Sequence, residues 1–183
     1  MNFRQLLSLA RSLASHCVLC LRFTCKGLNF EYRKRAYRAV WDYWKNQQRF
    51  TVKHTFLGGR SMGCRVAAAI ARQLSEESED AVRGVVCLSF PLHPPGQTHA
   101  HRQRSEDLRM LPESMRVLFV SGSEDTMCDR DIFKRTLKEM KAEYEVFWLE
   151  GGNHGLTAKG MSEDSVLDEV NSKVISWIQE KQA

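Results

Sequence analysis

A serine flanked by glycines, Gly59-Arg60-Ser61-Met62-Gly63, sits where a short apolar run ends and a helical pattern begins. His54-Thr55-Phe56-Leu57-Gly58 ahead of it is β-prone, and Cys64-Arg65-Val66-Ala67-Ala68-Ala69-Ile70-Ala71 after it is rich in helix formers. A chain that passes from strand to helix in so few residues has no room for Cβ atoms at the flanking positions. The order G-x-S-x-G therefore needs its glycines, and the turn holds the serine hydroxyl out at the carboxyl end of a sheet. Average composition supplies roughly 0.06 such pentapeptides by chance in a chain this long. The pattern is that of a nucleophile elbow, and it fixes one strand–turn–helix unit around residue 61.

The rest of the chain repeats that rhythm. Leu6, Leu7, Leu9, Ala10, Leu13 and Ala14 share a face at helical spacing and predict a helix over 3–16. Val18 to Thr24 reads as a strand, and Tyr32 to Trp44 as a helix with Ala36, Tyr37, Val40, Trp41 and Trp44 on one side. Gly84 to Phe90 and Arg116 to Ser121 are nearly continuous apolar strands, the pattern expected when both sheet faces are covered. The polar stretch from Leu92 to Ser105, with its Pro94-Pro95-Gly96 turn, reads as loop. A helix over 129–140, a strand over 144–149 and a closing helix over 165–180 complete the series. The last helix carries Val166, Val170, Val174, Trp177 and Ile178 on one stripe. Alternation of this kind predicts parallel strands joined by right-handed crossovers, with helices on both faces.

Length and composition set outer limits. A chain of 183 residues is expected to form one domain over 1–183, and 43% hydrophobic with 27% charged residues is ordinary for a globular protein. No apolar run is long enough to span a bilayer. The six cysteines are scattered, and Cys17-x-x-Cys20 runs into the Val18–Thr24 strand with no second pair elsewhere. That predicts free thiols, no metal and a reducing, intracellular setting, cytoplasmic or nuclear. The net charge of +5 is concentrated. Nine Lys or Arg between Arg22 and Lys53 face only Glu31 and Asp42, a local excess of +7. This segment is read as a solvated helix face, with a nucleic-acid or chromatin partner as the alternative. The acid-free first thirty residues match a transit peptide in composition. The helical spacing of their leucines favours an ordinary amphipathic helix.

A serine hydroxyl becomes a nucleophile when a base takes its proton, and the base is usually a histidine oriented by a carboxylate. Both partners stand on loops directly after late strands. Gly122-Ser123-Glu124-Asp125-Thr126 follows one, and Gly151-Gly152-Asn153-His154-Gly155 the next. Parallel strands bring both loops to the sheet edge that carries Ser61. Asp125 and Glu124 compete for the acid role; His154 is the base. His93, His99 and His101, on the 92–105 loop, are read as pocket rim or plain loop.

Three segments carry a resemblance. Gly58-Gly59-Arg60-Ser61-Met62-Gly63-Cys64-Arg65, Phe90-Pro91-Leu92-His93-Pro94-Pro95-Gly96 and Trp148-Leu149-Glu150-Gly151-Gly152-Asn153-His154 resemble the marker segments of one α/β-hydrolase branch. That branch takes in testis-expressed protein 30, small bacterial hydrolases of the dienelactone-hydrolase type and the hydrolase-like domain of a chromatin-complex subunit. The resemblance implies an α/β-hydrolase-like, doubly wound parallel sheet. It also implies Ser61 as nucleophile, Asp125 as acid, His154 as base and the Met62 N–H in the oxyanion site. No cofactor or metal is implied, and a small-molecule acyl compound is the implied substrate. Cys64 stands where relatives often have Gly or Ser, and Asn153 where Asp is common. In that fold about three strands and a loop with a second oxyanion donor precede the helix that here begins near Phe3. The sheet is therefore expected to lack its first strands, with an apolar groove beside the Val18–Thr24 strand. Two readings follow: a serine hydrolase of esters or related acyl compounds, and a non-catalytic interaction protein on a hydrolase scaffold.

Overall fold

The computed structural model describes residues 3–180, so both ends of the domain expected over 1–183 lie outside the described residues. Its sheet has four parallel strands in sequential order: β1 (Phe56–Arg60), β2 (Gly84–Leu88), β3 (Arg116–Gly122) and β4 (Glu143–Leu149). The registers Arg60↔Leu88, Leu88↔Val120 and Gly122↔Leu149 align the carboxyl ends, so the loops after all four strands open on one edge. β2 and β3 are buried along their whole length, which is why their sequences show no polar alternation.

Helices cover both faces. On one lie α2 (Phe30–Lys45), α3 (Met62–Glu77) and α6 (Arg130–Lys138), over a core that includes Val66, Ala67, Ile70, Val85, Val117, Phe119 and Phe133. The alanine-rich row of α3 lets its backbone come close to the sheet, and Cys64, Ala67 and Ala71 have no solvent exposure. On the other face α1 (Arg4–Ser15) packs along α7 (Glu163–Gln179), with Leu9 and Leu13 meeting the buried stripe of Val166, Val170 and Val174. Asn171 Nδ2 crosses this contact to Ser8 Oγ at 2.8 Å. Arg4 pairs with Glu163 and Asp164 at the helix ends.

Two expectations need correcting. Residues 18–24 form no strand. A strand needs a neighbour's backbone groups as well as a β-prone sequence. On the side of β1 away from β2, the Gly58 carbonyl accepts the Tyr37 hydroxyl at 3.2 Å, so a helix side chain stands where a ladder partner would. The segment runs over α2, where Phe23 meets Tyr37 edge-on with ring centroids 4.7 Å apart. Leu19 and Leu21 are exposed, and Cys17 is a left-handed turn residue (φ 59°) closing α1, not part of a strand. The 92–105 stretch, expected as loop, contains a 3-10 turn (Thr98–Ala100) and a single-turn helix, α4 (His101–Arg104), with a second, α5 (Glu106–Arg109), directly after it. Leu92, Leu108 and Leu111 anchor this region in the core. Turns this short are too brief to show helical periodicity in sequence.

The basic segment is partly spent inside the chain. Arg38 pairs with Glu77 and Asp42, Lys34 with Glu31, and Arg33 donates to the Gly27 carbonyl. Among the described residues no helix is long and apolar enough to cross a membrane.

Candidate active site

The turn after β1 has the geometry its sequence demanded. Ser61 lies at φ 52°, ψ −121°, a backbone region that costs a non-glycine residue about 1–3 kcal/mol. Hydrogen bonds hold it there: Ser61 N–H donates to the Leu88 carbonyl at 2.9 Å, and Cys64 N–H to the Ser61 carbonyl at 2.9 Å. A Cβ on Gly59 would lie 2.3 Å from the Gly63 carbonyl carbon, so that glycine is obligatory. Beneath the turn the buried Cys64 thiol reaches the carbonyls of Gly59 (3.2 Å) and Leu88 (3.1 Å). Burial raises its pKa well above the usual thiol range, so Cys64 is a packing group and not a second nucleophile.

Ser61 Oγ is 2.8 Å from His154 Nε2, and His154 Nδ1 is 2.8 Å from Asp125 Oδ2. This network fits one proton arrangement: Nδ1–H donates to the carboxylate, which leaves Nε2 to accept from the serine hydroxyl. The Asp125 side chain has no solvent exposure, while that of His154 retains 23%. Asp125 Oδ1 also accepts the Met127 N–H at 2.8 Å, which fixes the carboxylate plane. Glu124, the rival acid, points into solvent. Met62 is the first residue of α3, and first-turn N–H groups have no partner within a helix.

The acid and base loops are laced together. Glu124 N–H donates to the Gly152 carbonyl (2.8 Å), Ser123 N–H to Leu149 (3.0 Å), and Gly151 N–H to Ser123 Oγ (2.7 Å). The base loop is tightened by Asn153, whose Oδ1 accepts from Gly155 N–H at 2.9 Å and Thr157 N–H at 3.2 Å. From the far side α1 joins in, Gln5 Nε2 donating to the Gly155 carbonyl at 2.8 Å.

Gly122 is the tightest point of this lacing, since a Cβ there would lie 2.2 Å from the Gly152 carbonyl oxygen. The clash is with backbone, so no rotamer change relieves it. Gly122→Ala is expected to cost about 3 kcal/mol or more, lowering Tm by roughly 6–12 °C for a chain of this size. A thermal melt within 2 °C of wild type would contradict this packing.

His93 stands on the loop after β2, as read, and is held inside it and not at an open surface. It is buried, its Nδ1 donates to the Pro94 carbonyl at 2.8 Å, and its Nε2 accepts the Asp129 N–H at 3.0 Å. It ties the loop after β2 to the start of α6, just beyond Asp125. His99, exposed, lies in the 3-10 turn, and His101, half-buried, opens α4, so neither stands on plain loop. Cys128 lies on the same stretch, its thiol pushed up to about 12 by burial and then by Asp125 and Asp129. Sequence reading did not single out Gly122, Ser123, Gln5 or His93 as positioning residues, because their partners are distant in sequence. A glycine directly between a buried strand and an acidic loop was the one available signal. Among the described residues no group of three or more His, Cys, Asp or Glu is placed to hold a metal ion.

With this geometry in view, the comparisons with known proteins are specific. A family model for an alpha/beta hydrolase domain matches residues 26–179. Similar solved structures include Est1E from Butyrivibrio proteoclasticus, 15% identical with a TM-score of 0.71, covering 97% of this chain and 83% of that one. The esterase domain of a Rhodothermus marinus protein is 17% identical with a TM-score of 0.70, over 96% and 79% of the two chains. An alpha-beta serine hydrolase homologue from Coxiella burnetii is 15% identical with a TM-score of 0.61, over 97% and 77%. At such identities these likenesses speak for the fold. The family match spans the elbow, the acid loop and the base loop together, and on it this chain belongs to the alpha/beta hydrolase domain family.

Proposed function

We propose that this hydrolase-family chain is a serine hydrolase of esters or related acyl compounds. Ser61 attacks the carbonyl carbon, and His154 Nε2 takes the hydroxyl proton and returns it to the leaving group. Asp125 holds the ring and stabilises the imidazolium, while the Met62 N–H faces the oxyanion. Water then hydrolyses the acyl-enzyme by the same proton path in reverse. The observation that carries this reading is the unbroken Ser61–His154–Asp125 relay, with both hydrogen bonds at 2.8 Å. One oxyanion N–H in place of two typically lowers kcat about 10²–10³-fold, so modest turnover is expected if Met62 acts alone.

The marker segments at 58–65, 90–96 and 148–154 support placing the chain in the branch that includes testis-expressed protein 30. Six free cysteines support a reducing, intracellular setting. Pre-steady-state hydrolysis of p-nitrophenyl acetate tests the mechanism. A burst of p-nitrophenolate approaching the protein concentration is expected, because phenolate leaves on acylation and hydrolysis of the acetyl-enzyme is the slower step. A folded chain that releases phenolate no faster than buffer would contradict it.

A further inference from the structure

The nucleophile and the base come from opposite ends of the sheet. Ser61 follows β1 and His154 follows β4, and the order β1-β2-β3-β4 makes these the two edge strands. Three inter-strand steps of about 4.8 Å separate them, so a small change in sheet twist alters the gap that the base loop must close. Among the described residues one hydrogen bond joins the elbow and the base loop directly, the 2.8 Å contact between Ser61 Oγ and His154 Nε2. Productive geometry is kept, to within about 0.5 Å, by groups packed behind the reacting side chains.

The first turn of α1 stands behind both loops at once. Phe3, the N-cap of α1, carries the Arg60 guanidinium over its ring, with Cζ 4.6 Å from the centroid. Arg60 Nε is buried without a hydrogen-bond partner, and the ring face meets its charge. Two residues on, Gln5 Nε2 donates to the Gly155 carbonyl at 2.8 Å. Arg60 is the residue before the nucleophile and Gly155 the residue after the base. One helical turn thus holds the chain a single planar peptide away from each reacting residue, and such a unit passes a shift straight on. The turn is itself anchored on α7. Arg4 pairs with Glu163 and Asp164, Ser8 Oγ accepts from Asn171 Nδ2 at 2.8 Å, and Leu9 and Leu13 are buried in the shared core.

We propose that the first turn of α1 is a positioning element of the active site. Phe3 and Gln5 tie the elbow and the base loop to one common helix and so set the gap between Ser61 and His154. This rests on the serine-hydrolase reading. Neither residue touches the reacting atoms: Phe3 acts through Arg60, and Gln5 through Gly155.

The test is the rate constant of the p-nitrophenyl acetate burst. Gln5→Leu keeps the bulk and loses the donor, and is expected to lower that rate about 10- to 100-fold, the cost of a misplacement near 1 Å. The ester concentration that half-saturates the burst should stay the same, since no binding contact is lost. Gln5→Lys, whose ammonium can donate to the same carbonyl, is expected to restore the rate. Phe3→Ala should act in the same direction as Gln5→Leu, and Phe3→Trp should keep the stack and the rate. Ser8→Ala leaves the buried Asn171 amide unpaired and loosens α1 on α7 without touching either loop, so it should lower Tm and spare the burst rate. A wild-type burst rate in Gln5→Leu, or an equal loss in Ser8→Ala, overturns the proposal. Exchange of the His154 Nδ1 proton with water, read from its downfield NMR resonance, needs no turnover. It is expected to quicken in Gln5→Leu and not in Gln5→Lys. A wild type without a burst would sink the hydrolase reading alone. Exchange unchanged in Gln5→Leu would then overturn the positioning role, and faster exchange would support it.

Discussion

Ser61→Ala is expected to lower ester hydrolysis about 10⁴- to 10⁶-fold while the melting temperature stays within a few degrees of wild type. Both halves follow from the turn. The hydroxyl makes one described side-chain contact, the 2.8 Å bond to His154, and everything else that holds residue 61 is backbone. Alanine meets the same backbone cost at φ 52° as serine, so the elbow persists without its nucleophile. Activity within tenfold of wild type in a folded variant would remove Ser61 from the mechanism.

Asp125→Asn is expected to cost about 10⁴-fold, through His154 and not through the serine directly. The amide oxygen can still accept the Met127 N–H, now served by Oδ1 at 2.8 Å. That leaves the amide NH₂ facing His154 Nδ1, where the carboxylate accepted a proton. The ring then keeps its proton on Nε2 and has no lone pair for Ser61. Groups that act as a unit are not additive, so the double variant with Ser61→Ala should fall no further than Ser61→Ala alone. A loss under tenfold for Asp125→Asn, or full additivity, would show that no relay operates.

Much of this was legible because it is local. The G-x-S-x-G turn carries its own steric demand, met at Gly59, and the apolar runs of β2 and β3 announce strands covered on both faces. Topology did the rest, since parallel strands must open the 122–126 and 151–155 loops on one edge. What failed was non-local. Val18–Thr24 has the composition of a strand, but whether it forms one depends on a free neighbour, and Tyr37 stands at the Gly58 carbonyl instead. The choice of Asp125 over Glu124 likewise turns on burial: one side chain faces the base loop without solvent, and the other faces water. The burial of the loop residue His93 was not legible because its partners at Pro94 and Asp129 combine a sequence neighbour with one thirty-six positions away.

The most direct measurement is labelling of the purified chain with a fluorophosphonate, followed by peptide mass analysis. Stoichiometric phosphonylation at Ser61, absent from Ser61→Ala and from His154→Ala, is the predicted result. It requires an activated serine, a working base and an oxyanion site together. A chain that melts cooperatively yet takes no label at Ser61 would contradict the account and leave the fold as a non-catalytic scaffold.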